Sequence, residues 1–325
     1  MVLRQLMYLV ALARERHFAR AAAACHVAQP TLSAAIRQLE EELGAPIVER
    51  GHRFNGFTRE GQAVLEHAKR ILAECESLTQ DLSKLKDGLI GRLRLGAIPT
   101  VLPVVALITA AFHDRFPLVT IAVLSRNSAE IQRGIDNFEL EIGLTYLDSE
   151  PLEHVRTRPL YREEYILLTP RDGPFADRDT VTWAEAAATA LCLLTPDMQN
   201  RRIIDGIFRS IDRQPRPTLE TNSIFNLCSS VSSGHWSSVM PKALLQVFGL
   251  PENTRALRLV EPVATRTIGM IIADRDPPSP LASSMFDLAG TLDLEERIER
   301  SLERGAAAPA PLPRPAAPRR AKARV

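Results

Sequence analysis

The chain has 325 residues, of which 45% are hydrophobic and 24% charged, a globular balance that excludes a wholly disordered polypeptide. Its 40 Lys and Arg stand against 39 Asp and Glu, a net charge of +1. Any attraction to nucleic acid or an anionic membrane must therefore come from a local patch.

Arg14, Glu15, Arg16 and Arg20 interrupt any hydrophobic core of a signal peptide, and the longest apolar run, Val101 to Phe112, is too short to span a membrane. Cys25, Cys75, Cys192 and Cys228 lie far apart, with no CxxC and no Cys/His ligand spacing. These features predict a cytoplasmic protein with reduced thiols and neither metal nor cofactor.

In chain order, a first helix is expected from Leu3 to Arg14, with Leu6, Leu9, Val10 and Ala13 as its apolar face. A short alanine-rich helix, Ala19 to Cys25, follows, and its small side chains allow close helix approach. After a turn at His26-Val27-Ala28, a third helix begins with Pro30 in its first turn, where the missing N–H costs nothing. Leu32, Ile36, Leu39 and Leu43 recur at helical spacing, and Gly44 supplies the stop. Gln29, Thr31, Ser33 and Arg37 are left near the start or on the outer face, where such side chains hydrogen-bond base edges and phosphates. From this helix alone, an ordinary amphipathic helix with a solvated face fits equally well. Ala45 to Arg50 then reads as a strand and residues 51–56 as a turn. A hairpin with Arg50, His52 and Arg53 at its tip would meet phosphates or the minor groove.

Thr58 is a good cap for a helix running to about Lys86. Along it, Val64, Ala68, Ile71, Cys75, Leu78, Leu82, Leu85 and Leu89 alternate spacings of four and three, a coiled-coil seam. A lone helix about 40 Å long would expose that seam, which predicts a partner helix. Cys75 reads as a packing residue within it.

Beyond residue 90, apolar runs alternate with helical patterns. Strands are expected at 92–96, 119–124, 141–144, 164–168, 237–240 and 267–273, and helices at 103–116, 129–137, 183–188, 200–211, 224–233 and 281–302. Such alternation indicates a parallel, helix-covered α/β sheet whose ligands bind beyond the strand ends. Residues 304–325, rich in Ala, Pro and Arg, read as a disordered basic tail.

Residues 1–61 closely resemble the DNA-binding domain of LysR-type bacterial transcriptional regulators. The resemblance rests on Leu3-Arg4-Gln5-Leu6, His17 to Ala22, His26 to Ser33, Ile36 to Glu40, Leu43-Gly44, Glu49-Arg50 and Thr58 to Gly61. The chain departs from that pattern at Ala28, usually Ser, and at Ala34, often Arg. The resemblance implies an N-terminal winged helix-turn-helix (1–58), a linker and dimerisation helix (59–89) and a periplasmic-binding-protein-like effector domain (90–303). The effector domain's two α/β lobes would comprise about 90–161 with 268–303, and about 162–267.

It further implies DNA contacts from Gln29, Pro30, Thr31, Ser33, Arg37, Arg50 and Arg53 to a palindromic operator, and a homodimer or homotetramer working with RNA polymerase. A small-molecule effector would bind between the lobes at Thr100, Ser125, Asn127, Ser128, Thr145 and Asn222, with the segment Pro196 to Asn200 facing the same cleft. Each of these could equally be a helix cap or turn residue. As a set they offer hydroxyls and amides without a carboxylate, which suits a small anion. The stretch Ser232 to Ser238, with Thr221 to Asn226, resembles regulators associated with formate dehydrogenase genes. His235 and Trp236 would then either contract the pocket around a very small ligand such as formate or form a buried structural pair. An enzyme is the competing class, but the region has no GxSxG, no Gly-rich phosphate loop and no metal-ligand cluster.

Overall fold

The computed structural model describes residues 1–49, 54–86, 88–245 and 249–306. Three short helices, α1 (Leu3–Glu15), α2 (Phe18–Ala24) and α3 (Gln29–Leu43), open the chain. Their apolar faces pack into two clusters, Leu12 of α1 with Ala21 and Ala22 of α2 and Leu32 and Ile36 of α3, and Leu6 and Leu9 of α1 with Leu39 of α3 and Ile47. The two buried alanines let α1 and α3 close over α2. Gly44 ends α3 at φ 66°, a left-handed conformation that glycine adopts without penalty.

The expected strand after Gly44 is reduced to one antiparallel bridge between Val48 and Phe57. Glu49 N–H bonds Gly56 O at 3.1 Å, and Thr58 N–H bonds Ile47 O at 3.0 Å. Residues 50–53, and with them Arg50, His52 and Arg53, lie outside the described residues.

The long helix α4 (Arg59–Lys86) starts as expected, with Thr58 Oγ1 accepting from Gly61 N–H at 2.8 Å. The seam along it divides in two. Ala68 is buried, and Val64 and Ile71 are packed with it, against Leu6, Leu9 and Leu39 of the same chain. Beyond them, Leu78 is 62% and Leu82 53% exposed, whereas Leu89, the last residue expected in the seam, lies past the end of α4 and is buried in the core of the C-terminal region. The seam is thus shorter than its sequence period suggests, because α1 occupies its proximal half. Farther along, α4 rests on the C-terminal region through Lys69–Glu139 (3.0 Å) and through Arg275, which reaches Glu74 (2.8 Å) and Ser77 (2.9 Å).

The C-terminal region is built on strands β1 (Gly91–Ala97), β2 (Val119–Ser125), β3 (Ile142–Tyr146), β4 (Val155–Pro170), β5 (Thr180–Thr182), β6 (Cys192–Leu194), β7 (Leu219–Thr221), β8 (Ser238–Pro241), β9 (Thr254–Val260) and β10 (Thr265–Ala273). The main sheet runs β2-β1-β3-β10-β4-β9-β5, with β8 also on β4 and β6-β7 as a separate pair. The expected all-parallel sheet is corrected: β1, β2 and β3 are parallel, whereas β10 runs antiparallel to β3 and β4, and β8 and β9 antiparallel to β4.

Two long strands join the lobes. The 16 residues of β4 pair with β10 over Val155–Glu164 and with β9 and β8 over Tyr165–Pro170. Its first half was missed in the sequence because Arg156, Arg158 and Arg162 interrupt any apolar run.

Helices α5 (Leu102–Arg115) and α6 (Ser128–Asp136) belong to the first lobe, and α7 (Trp183–Ala187), α8 (Gln199–Ser210) and α9 (Ile224–Ser232) to the second. The chain ends in α10 (Pro280–Ala289) and α11 (Leu294–Ala306). One continuous helix was expected there. The break falls at Gly290 to Asp293, where Asp293 Oδ1 accepts from Glu296 N–H at 3.0 Å and so caps the new helix. Among the described residues no helix is long and apolar enough to cross a membrane.

Candidate nucleic-acid interface and effector cleft

The N-terminal three-helix unit presents α3 outward. Leu32, Ile36 and Leu39 bury its inner face, which leaves Gln29, Pro30, Thr31 and Arg37 exposed and Ser33 half-buried along one side. Ala28 occupies the N-cap with no side-chain bond to the helix. Pro30 carries no N–H and Thr31 N–H already bonds Ala28 O at 3.0 Å, so the first turn offers an external acceptor such as a phosphate at most the Gln29 amide. Sequence reading missed how this helix fixes the hairpin beside it. Glu40 Oε1 accepts from Ile47 N–H (2.7 Å) and Val48 N–H (3.0 Å). Phe54 stacks edge-on against Phe18 and Phe57, so the returning limb is anchored on α2.

In the C-terminal region, the ends of β1 and β3 lie side by side, with Ala97 opposite Leu144. Thr100 and Thr145 therefore lie near one sheet edge, and both are buried. Thr145 donates across the cleft to Gln199 Oε1 at 2.9 Å. Ser128 at the start of α6 donates to Glu150 Oε2 at 2.9 Å. Arg202 of α8 reaches both partners, Ser128 Oγ at 3.1 Å and Glu150 Oε1 at 2.7 Å. These bonds form a latch between the lobes. Glu150 corrects the expectation of a carboxylate-free cleft, although Arg202 balances its charge.

The other expected effector residues are placed differently. Asn127 accepts from Glu130 N–H at 2.9 Å and caps α6, while Ser125 and Asn222 are exposed at strand ends. His235 is exposed and contacts Ser233 O at 3.0 Å, and Trp236 donates to Thr218 Oγ1 at 2.9 Å. The pair stacks at 5.5 Å on the surface side of the second lobe rather than as a buried unit.

Two polar atoms of the cleft region have no partner among the described residues although their own residues are almost fully buried: Thr100 Oγ1 and Gln199 Nε2. Gln199 stands at the first turn of α8, whose cap residue Met198 makes no side-chain bond. A donor amide, a hydroxyl and an uncapped helix N-terminus together suit a small acceptor. Gln199 fell within the segment 196–200 singled out from the sequence. Nothing in its spacing distinguished it from its neighbours.

Comparison with known proteins matches two family models to the chain. Residues 3–62 match the bacterial regulatory helix-turn-helix protein family, lysR type, and residues 86–292 match the LysR substrate binding domain. The DNA-binding transcriptional dual regulator OxyR of Escherichia coli K12 is 31% identical over 290 residues, covering 89% of this chain and 94% of its own. The hydrogen peroxide-inducible genes activator of Dickeya chrysanthemi is 29% identical over 305 residues, covering 94% and 98%. Among solved structures, a full-length OxyR variant from Pseudomonas aeruginosa superposes with a TM-score of 0.72 at 26% identity, covering 90% of this chain and 99% of that one. Full-length CbnR in complex with its target DNA shares the fold, with a TM-score of 0.63 at 22% identity, covering 93% and 100%. With a helix-turn-helix whose third helix faces outward, a two-lobed effector-binding region and these matches over nearly its whole length, the chain belongs to the LysR family of transcriptional regulators.

Proposed function

We propose that the protein reads a two-fold operator with paired α3 helices and changes its DNA geometry when a small anion, with formate as the first candidate, binds noncovalently between the lobes. The observation that carries the effector reading is the unpartnered, buried Nε2 of Gln199 at the uncapped start of α8. A charge-assisted bond to a carboxylate would satisfy it, together with Thr100 Oγ1.

Several relatives are named hydrogen peroxide-inducible activators, which raises a second reading, oxidation of a thiol. Peroxide chemistry needs an accessible thiolate. Cys192 and Cys228 are buried in the second lobe, and burial pushes both thiols up to about 11. This favours a noncovalent effector over oxidation of either thiol of the second lobe.

On the DNA side, Arg37→Ala is expected to weaken binding to all duplexes and to lower the salt slope by about one. Gln29→Ala is expected to change the ranking among operator variants at a cost of about 1–3 kcal/mol at the base it reads. Fluorescence anisotropy at several salt concentrations checks both, and an Arg37 variant with wild-type affinity and slope would remove that contact.

On the effector side, calorimetry of the full-length protein with formate, larger carboxylates and inorganic anions is the test. Binding in the micromolar to millimolar range is expected for so small a ligand. Gln199→Leu should weaken it at least about tenfold, the loss of one charge-assisted bond. The anion reading fails if a neutral metabolite binds instead, or if hydrogen peroxide alone shifts the DNA footprint and Cys192→Ser abolishes that shift.

A further inference from the structure

The strand joining the lobes carries a carboxyl group withdrawn from solvent. Glu163 is 1% exposed and lies on β4 between Tyr161 and Tyr165, where the strand passes from one lobe to the other. Tyr146, at the end of β3, donates its hydroxyl to Glu163 Oε1, and Tyr161 donates to Oε2 at 3.3 Å. Tyr146 in turn accepts from Asn200 Nδ2 at 2.9 Å, a bond from α8 of the second lobe to β3 of the first. A continuous line therefore runs from the cleft-facing start of α8, through a phenol of the opposite lobe, to the carboxyl on the strand that connects them. The hydroxyl of Tyr165 is also buried and has no partner among the described residues.

We propose that Glu163 is a positioning residue that couples closure of the two lobes to the uptake of one proton, acting through Tyr146 on Asn200. The coupling does not depend on the identity of the effector, only on the two lobes acting as a clamp.

The surroundings of the carboxyl are mostly neutral. Tyr146, Tyr161 and Tyr165 face it from β3 and β4, and Asp148 and Arg266 act on Tyr165 with opposite signs. On its other side Glu163 lines a cavity of about 280 Å³ together with Lys242, Glu295 and Glu299. Lys242 is paired there with Glu164 at 3.6 Å, and Arg162 is turned to Thr265. Burial pushes the Glu163 carboxyl up to about 8, against the opposing pull of the bonds from Tyr146 and Tyr161.

The two protonation states require different bond directions. Ionised, the carboxylate accepts from both phenols. Neutral, it donates one proton, and Tyr146 can accept it while turning its own proton to the unpartnered hydroxyl of Tyr165. Asn200 continues to donate to Tyr146 in that arrangement, so the neutral state keeps the bond across the lobes. Opening would part Asn200 from Tyr146 and let water reach Glu163, returning its carboxyl toward the ordinary value of about 4.3. A carboxyl raised in the closed form favours closure fully below its open-form value. That advantage is lost as pH rises, by up to about tenfold per pH unit, and the loss is complete near 8.

The experiment uses the full-length, effector-free protein with Cys25→Ser and Cys75→Ser, spin-labelled at Ala129→Cys and Asp197→Cys on either side of the cleft mouth. Inter-lobe distances and the infrared carbonyl band of a protonated carboxylic acid are followed from pH 5.5 to 9. The expected result is that the band disappears and the distance lengthens over the same pH range, and that Glu163→Gln removes the band and the pH dependence together. Tyr146→Phe should keep the titrating band and lose the matching distance change, which separates coupling from a merely structural role. The proposal is overturned if no protonated acid titrates above pH 6, if the distance is independent of pH, or if Glu163→Gln retains the wild-type pH response.

Discussion

Replacing Leu78 and Leu82 together with glutamate is expected to reduce the protein to monomers and to lower operator affinity at least about a hundredfold. Both leucines are large, apolar and exposed, one turn apart on the distal half of α4. Burying a leucine contributes about 1.5–3 kcal/mol, and a two-fold seam would bury four of them. The double variant would instead place four carboxylates in an apolar contact, where unpaired charge costs several kcal/mol. Loss of the pair also removes the effective concentration that ties the second recognition helix to its half-site. Neither side chain belongs to the core of its own chain, so circular dichroism should remain that of the wild type. Light scattering and anisotropy decide the matter: unchanged mass and unchanged affinity would place the dimer contact elsewhere.

The second large effect is expected from Gly61→Ala, which should destabilise the DNA-binding domain by about 3 kcal/mol or more, the upper range for overpacking. A methyl group there would stand 1.9 Å from Ile47 O and within 3 Å of two further backbone atoms of Ile47. Those atoms cannot swing away as a side-chain end would, because Ile47 O accepts from Thr58 N–H and Ile47 N–H is held by Glu40. The hairpin and the first turn of α4 would be forced apart, and DNA affinity should fall while the effector region keeps its fold. Gly206→Ala is the control. It lies inside α8 with only the end of the Arg209 side chain at 3.9 Å, so the substitution should be neutral or stabilise by up to about 1 kcal/mol. Hydrogen exchange on the full chain resolves the two regions. Wild-type protection around Leu32 and Ile47 in the Gly61 variant would show that the junction yields more readily than its geometry implies.

The DNA-binding unit was legible because its information is local. Leu32, Ile36 and Leu39 recur with the helical period, Pro30 and Gly44 mark the ends, and each feature keeps its meaning whatever packs beside it. The alternation of strands and helices in the C-terminal region was legible for the same reason. Strands β5, β6 and β7 were not, since three residues carry no period, and neither were β9 and the first half of β4, whose arginines break up the apolar run.

The sequence by itself therefore determined the family, the exposed face of α3, the long linker helix and the two-lobed character of the effector region. Tertiary structure alone decided which half of the linker seam remains open, because α1 competes for the other half. It decided that Asn127 closes its own helix while Gln199 keeps a donor without a partner among the described residues. It also decided that Glu163 is buried. A glutamate in a strand flanked by Arg162 and Glu164 reads as a solvated position. Only the crossing of β4 between lobes, with Tyr146 and Tyr161 folded over it, removes that carboxyl from water, and burial of this kind is a property of chain segments distant in sequence.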